Sequence, residues 1–422
     1  MNMSALSTRH RSYNSVEQAA WFLVWFTLPF SLKLSGASII LATMVILFSY
    51  ARKPFRPDRR KLLYLLPPVL FFLWHAKEVT GNQPFLPAWK ETEQMLSFLV
   101  IPLLFALTRI TKEKFTIAAM WGLVPALLIC GAVMLGAAGY RFALSGNWNE
   151  FTYHTLGKPF RMGAIYFSFY LLFALFKLDD PAWLPNRPGL KIYIGIALLF
   201  LLLLSASKLF IGLGIPLLAW HNRQFIQQLL TTRKKLSAVL LILVLLGLVP
   251  FLKRVQFLAH PDIDMVGSTN FKDCPEPNGL NLRLIFIRFG KEILDEQHAW
   301  ISGVGMNRSH PLLNEKIVQY GMYTGTRDGS DTGYLNYNFH DQFMETLVKT
   351  GIPGLVILLA ILTIFAIQCR ERLFTPKIFL WIVAGFFLTE SVLGRQAGIV
   401  FFCLIMFACF TREEPIAQSN ER

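Results

Sequence analysis

The sequence predicts an all-α integral membrane protein of about 12 transmembrane helices, and three observations predict it. Of 422 residues, 54% are hydrophobic and only 16% charged, with a mean hydropathy of +0.45. A soluble chain of this length would carry far more surface charge. A bilayer-crossing helix takes about 20 mostly apolar residues, so about 12 would use ~240 positions, close to the hydrophobic total. The basic residues, finally, favour alternate inter-run segments. A soluble globular enzyme, a disordered chain, a collagen and a disulfide scaffold are excluded. Only five cysteines are present, four of them in or at the end of apolar runs.

Twelve apolar runs can be traced, at about 18–33, 36–51, 62–76, 95–108, 116–139, 162–177, 191–206, 209–221, 236–252, 352–368, 378–389 and 397–411. The first is rich in Trp and Phe, lacks a small-residue cleavage site and leads straight into a second run, so it reads as a span rather than a cleaved signal. Tilt and flanking aromatics extend the shorter runs. The chain divides into 1–252 (spans one to nine), 253–351 (a loop domain) and 352–422 (spans ten to twelve and a tail).

With the amino terminus cytoplasmic, 23 of the 41 Lys and Arg fall in cytoplasmic segments. Arg52, Lys53, Arg56, Arg59, Arg60 and Lys61 form the densest group. The short outer loops hold eight and the 253–351 segment ten. This positive-inside pattern puts both termini in the cytoplasm and the long segment outside. The net charge of +15 then records topology rather than a nucleic-acid partner. The long segment has an order of its own: helical stretches at 281–297 and 338–350, a turn at Gly303-Val304-Gly305, and a Gly/Asp/Thr-rich stretch at 321–333. A featureless loop of this length would be unusual.

Three places could carry chemistry. In the first, Asn338 can cap a helix with Asp341 three residues on, and Gly351 with Pro353 can stop it. His340 would then lie in the first turn on the apolar side with Phe343, Met344 and Leu347, opposite a polar face of Asp341, Glu345 and Lys349. A helix start and partial burial both disfavour imidazolium, and a neutral imidazole can act as a general base. A packed, hydrogen-bonded histidine is the other reading. In the second, Arg288 has Glu292 at i+4, an ordinary solvated ion pair. Arg283 has no carboxylate at i±3 or i±4 and lies on an apolar flank. It needs an anion from elsewhere, either a glutamate of another helix or a phosphate. In the third, Lys208 stands alone in a very short outer turn, as a snorkelling anchor or as a point charge for a phosphate. Lesser candidates are Arg161, at the start of the sixth run, and Glu390 with Arg395 at the last outer turn, which could pair with each other. His154, His298 and His310 fit no metal-ligand spacing, and neither metal nor cofactor is expected.

The layout, the Arg-bearing helix followed by Gly303-Val304-Gly305, and the His340 stretch ending in Gly351-Ile-Pro-Gly354 together resemble the O-antigen ligase family, which also contains O-antigen polymerases. In motif the resemblance covers about 200–215, 281–305 and 338–354. It implies a GT-C-like fold in the bacterial inner membrane, with a large periplasmic loop between helices nine and ten. It implies an inverting, metal-independent glycosyltransferase acting on the periplasmic face. The donor would be a glycan on undecaprenyl diphosphate and the acceptor the lipid A-core. By the resemblance, the family's essential histidine falls on His340, its loop arginine on Arg283 and its second arginine on Lys208. Asp341 stands where the family commonly has Asn, and Lys208 lacks an arginine's bidentate fork. Arg283 and Lys208, with Arg161 and Arg395 as helpers, would hold the diphosphate. A polymerase or a protein glycosyltransferase of the same family would share this chemistry. A flippase, the reading from a different class, would instead need charges along a midplane pathway, and the runs carry few.

Overall fold

The computed structural model describes residues 3–410 except 58, 78–84, 181, 186, 206, 225, 228–241, 243–261, 273, 327–330 and 371–373. The ninth run (236–252) apart from Ile242, the first residues of the long segment and the terminal tail lie outside the described residues. Every other apolar run coincides with helix, and no strand occurs among the described residues.

The first half comprises α1 (Met3–Thr27), α2 (Leu32–Arg52), α3 (Arg59–Ala76), α4 (Phe85–Met95), α5 (Ser97–Leu107) and α6 (Lys112–Ser145). After the short α7 (Tyr153–Leu156) come α8 (Ala164–Lys177), α9 (Pro188–Ser205) and, past a π-turn at Phe210–Gly214, α10 (Ile215–His221). The long segment folds as α11 (Ile263–Val266), α12 (Gly279–Glu296) and α13 (Met306–Gln319). The chain closes with α14 (Gln342–Arg370), α15 (Phe374–Thr389) and α16 (Gln396–Phe410).

By length and composition α2, α6, α9 and the Gln342–Ile367 part of α14 can each cross a bilayer, and five more helices are apolar but shorter. The outward faces agree. Ile40, Met44, Leu47 and Phe48 on α2 stay exposed at helical spacing, as do Leu63, Leu66, Leu70 and Leu73 on α3. Such stripes are unfavourable in water and suit lipid. Inside, aromatic rings interlock. Trp25 of α1 stacks on Phe173 of α8 at 5.4 Å, and Phe169 stacks on both Phe210 and Phe379 at 5.6 and 5.5 Å.

The long segment buries a second apolar cluster, which includes Ile285, Phe286 and Phe289 of α12, Leu313 and Ile317 of α13, and Phe339 and Val348. Helix α13 is absent from the sequence reading. Its Pro311 and polar composition hide it, yet Leu313 and Ile317 are fully buried at i, i+4 spacing.

Gly351 marks the expected stop, but the helix resumes at once. Its φ of 71° and ψ of −174° interrupt α14 for a single residue, a backbone region essentially reserved for glycine. The break frees two carbonyls for the Gly303 turn: Val304 N–H donates to Val348 O at 2.8 Å and Gly305 N–H to Lys349 O at 3.1 Å. Ile352 N–H donates in return to Trp300 O at 2.8 Å. The two glycine motifs of the sequence are therefore partners in space.

Candidate active site

Residues 338–341 form a turn, not the first turn of a helix as the sequence suggested. Asn338 does not cap α14; its side-chain oxygen accepts from His340 N–H at 3.0 Å. Asp341 is the cap instead, accepting from Met344 N–H at 2.7 Å. His340 sits just before the helix with a left-handed φ of 49°. Two short polar side chains, each bonding a nearby amide, impose this shape.

The turn aims His340 at the end of α15. With Glu390 ionised, Nδ1–H donates to its two carboxylate oxygens at 3.3 and 3.4 Å. Phe286 lies parallel to the imidazole at 6.3 Å between centroids, and Tyr337 meets it edge-on at 5.4 Å. Glu390 is thus the partner of His340, and Arg395 forms no ion pair with it. Holding Nδ1–H leaves Nε2 with the lone pair.

Arg283 reaches the same place from α12, whose start is fixed by Asn278 accepting from Leu280 and Asn281 N–H. Arg283 Nε–H donates to Thr389 O at 2.9 Å, one residue before Glu390, and its Nη1 donates to Gly279 O. Burial pushes its guanidinium below the ordinary value, against the opposing pull of Glu390, Tyr153 and Asp341. Lys208 arrives from the turn before α10, fixed by buried Phe210 two residues on. A Cβ placed on Gly279 would lie 3.3 Å from Arg283 Nη1 and 3.7 Å from Lys208 Nζ. The two cationic nitrogens are therefore within the sum of those distances of each other, and a larger side chain than glycine would intrude between them.

Behind the pair lies a buried network made by the residues that sequence periodicity assigned to a polar face. Asp341, Glu345 and Lys349 are only 6%, 2% and 6% exposed. Glu345 accepts from Lys349 at 2.8 Å, from His310 at 2.9 Å, from Phe339 N–H at 3.1 Å and from Ser391 Oγ–H at 3.3 Å. These contacts fix the residues flanking both His340 and Glu390, and they satisfy a carboxylate that burial would otherwise penalise. Gln342 accepts from Leu393 N–H at 2.6 Å and pins the same bend. Arg288 pairs with Glu292 at 3.0 Å as expected, but it also donates to Ser268 O at 2.9 Å and lies 4.7 Å over the Tyr320 ring. It is a structural tie rather than a solvated surface residue.

The structure thus brings His340 and Arg283 to the adjacent residues Glu390 and Thr389, and sets Lys208 beside Arg283. Arg161 and Arg395 meet elsewhere, in a cavity also lined by Phe160, Tyr166 and Gln94. Sequence reasoning placed Glu390 only beside Arg395. An acid directly after an apolar run was the one local signal for it.

The fold and this geometry define a class: an all-helical protein whose apolar helices suit a bilayer, with a His–carboxylate pair and clustered cations where helices end. No protein-family model and no curated protein matches the sequence.

Proposed function

We propose that the protein is an inner-membrane glycosyltransferase of the O-antigen ligase type, with about 12 spans in a GT-C-like arrangement, both termini cytoplasmic and the His340 site facing the periplasm. The observation that carries the reading is the meeting of an imidazole oriented by Glu390 with two cations, Arg283 and Lys208, drawn from three distant parts of the chain. The donor is a glycan on undecaprenyl diphosphate, and the acceptor is the lipid A-core.

Nε2 of His340 takes the proton from an acceptor sugar hydroxyl. The freed oxygen attacks the anomeric carbon and forms the new C–O bond. The bond from that carbon to the diphosphate oxygen breaks, its electron pair leaves on the phosphate, and the configuration inverts. Glu390 stabilises the imidazolium, as a carboxylate does behind a catalytic histidine. Arg283 and Lys208 neutralise the leaving group, where fixed cations act most strongly because charge grows there in the transition state. A positioned general base typically contributes ~10²–10⁴-fold.

Purified protein in detergent, given the lipid-linked donor and lipid A-core, is expected to form a new glycolipid. His340→Ala is expected to abolish product at wild-type expression. Near-normal transfer by that variant defeats the base assignment, and a wild-type protein that only moves donor across vesicles defeats the transferase reading. If the product is a lengthened donor rather than a glycosylated core, the enzyme is a polymerase.

A further inference from the structure

The cavity shared by Arg161 and Arg395 has a composition that asks for an anion. It opens to solvent and holds about 260 Å³, and none of its lining residues is Asp or Glu. Both arginines are exposed, and neither guanidinium makes a salt bridge or side-chain hydrogen bond among the described residues. Two cations lining one small cavity with no acidic neighbour make its potential positive, which favours an anion there.

The backbone adds to this. Three helices begin at the cavity: α2 through Ser31 and Leu32, α8 through its cap Gly163, and α16 through Arg395, Gln396 and Ala397. Gly163 offers no side chain to cap α8. Ser31 already accepts from Lys33 N–H at the start of α2, and Tyr166 and Gly398 N–H donate to the cap carbonyls of Gly163 and Arg395; what the three helix starts add is the positive end of each dipole, which favours an anion. Gln94, Gln396 and Ser31 add uncharged polar groups to the wall, and Phe160, Tyr166 and Leu28 supply apolar and aromatic surface. Guanidinium plus aromatic surface is the chemistry for a phosphate carried on an amphiphile. Pockets for drug-sized ligands start at about 300 Å³, so this one suits a phosphate and part of a sugar rather than a whole glycan.

The cavity is separate from the Arg283–Lys208 cluster. Along the bend 389–397, the Val392–Gly394 turn stands between Glu390 and Arg395, and Tyr166 O–H donates to Val392 O at 3.4 Å. Tyr166 lies within reach of the charges of both Glu390 and Arg395. The two groups of cations thus flank one bend, each suited to a different anion.

We propose that the Arg161–Arg395 cavity binds a phosphomonoester of the acceptor glycolipid, while Arg283 and Lys208 serve the donor diphosphate. The choice of acceptor rests on the transferase reading; the anion site does not.

The test uses the full-length protein in phosphatidylcholine nanodiscs, with binding followed by native mass spectrometry. The probes are lipid A carrying both phosphates, the same lipid with both removed, phosphatidylglycerol, and undecaprenyl diphosphate. Arg161→Gln and Arg395→Gln are each expected to weaken bisphosphorylated lipid A about tenfold, the loss of one charge-assisted contact. Binding of the phosphate-free lipid and of undecaprenyl diphosphate stays unchanged. Both side chains are exposed, so folding is retained, and matching melting curves check this. Equal losses for the phosphate-free lipid overturn the site. So does phosphatidylglycerol competing as well as lipid A, which makes it a bilayer-lipid site, or a parallel loss of undecaprenyl diphosphate, which makes it part of the donor site. A wild-type protein that binds lipid A through these arginines yet forms no glycosidic product defeats the transferase reading alone. Active variants with an unchanged acceptor KM defeat the site alone.

Discussion

Gly351→Ala tests the joint between the His340 segment and the rest of α14. Alanine has to adopt φ of 71° with ψ of −174°, and holding a non-glycine residue there costs about 1–3 kcal/mol. Its Cβ would also lie 2.8 Å from Gly303 N and against the Ile301 carbonyl, so the Gly303 turn must move. That turn makes three backbone hydrogen bonds to the break: Val304 to Val348, Gly305 to Lys349, and Ile352 to Trp300. Each contributes about 1 kcal/mol net. Losing one or two of them on top of the strain gives a local destabilisation of about 3 kcal/mol, roughly a hundredfold in the opening equilibrium. Hydrogen exchange with mass spectrometry on the detergent-solubilised protein reads this directly. The peptides that carry the 304, 305 and 352 amides are expected to exchange about a hundredfold faster, while α6 and α8 keep their protection. Unchanged exchange at those three amides would refute the account of the joint.

Other outcomes follow from the same geometry. Glu390→Gln keeps the volume but not the charge behind His340, so transfer is expected to fall about 10²-fold or more with the acceptor KM little changed; a kinetic assay that finds full activity removes Glu390 from the site. Burial raises the Asp341 carboxyl above its ordinary value of 3.8, against the Met344 and Phe343 amides and Arg283. A raised acid binds its proton more tightly when folded, so it costs stability as pH climbs from the ordinary carboxylate value through the raised one. Asp341→Asn keeps a good cap and removes that slope, so melting temperatures from pH 4 to 7 should fall less steeply than in wild type; parallel curves count against the burial. Arg288→Ala loses its bonds to Ser268 O and Glu292 and the Tyr320 contact. It should destabilise the 262–351 segment by about 1.5–3 kcal/mol, seen as earlier proteolysis there, and wild-type resistance would mark it as a surface residue after all.

Apolar runs are local, and they were legible. The helices that coincide with them follow, as do the isolation of Arg283 on its apolar flank and the interruption at Gly351; the polar helix α13 does not. What escaped depends on contacts between distant segments. His340 and Glu390 are 50 residues apart, and nothing in either stretch announces the other. Periodicity put Asp341, Glu345 and Lys349 on a polar face, and nothing local says whether such a face meets water or protein. It is dry because His310, Glu91 and Ser391 arrive from other elements to satisfy it. His340 was placed inside a helix because Asn338 and Asp341 are both good caps. Only the backbone decides between them, and it uses Asp341 for the helix and Asn338 for the turn before it.

The bend at 389–397 is one stretch of chain with a different compartment on each side. Glu345 and Gln342 already hold that stretch from behind, so its order is set when the chain folds rather than when a ligand arrives. Either side can then be filled without any domain closing over it, and a substitution that loosens the stretch would disturb both sides at once.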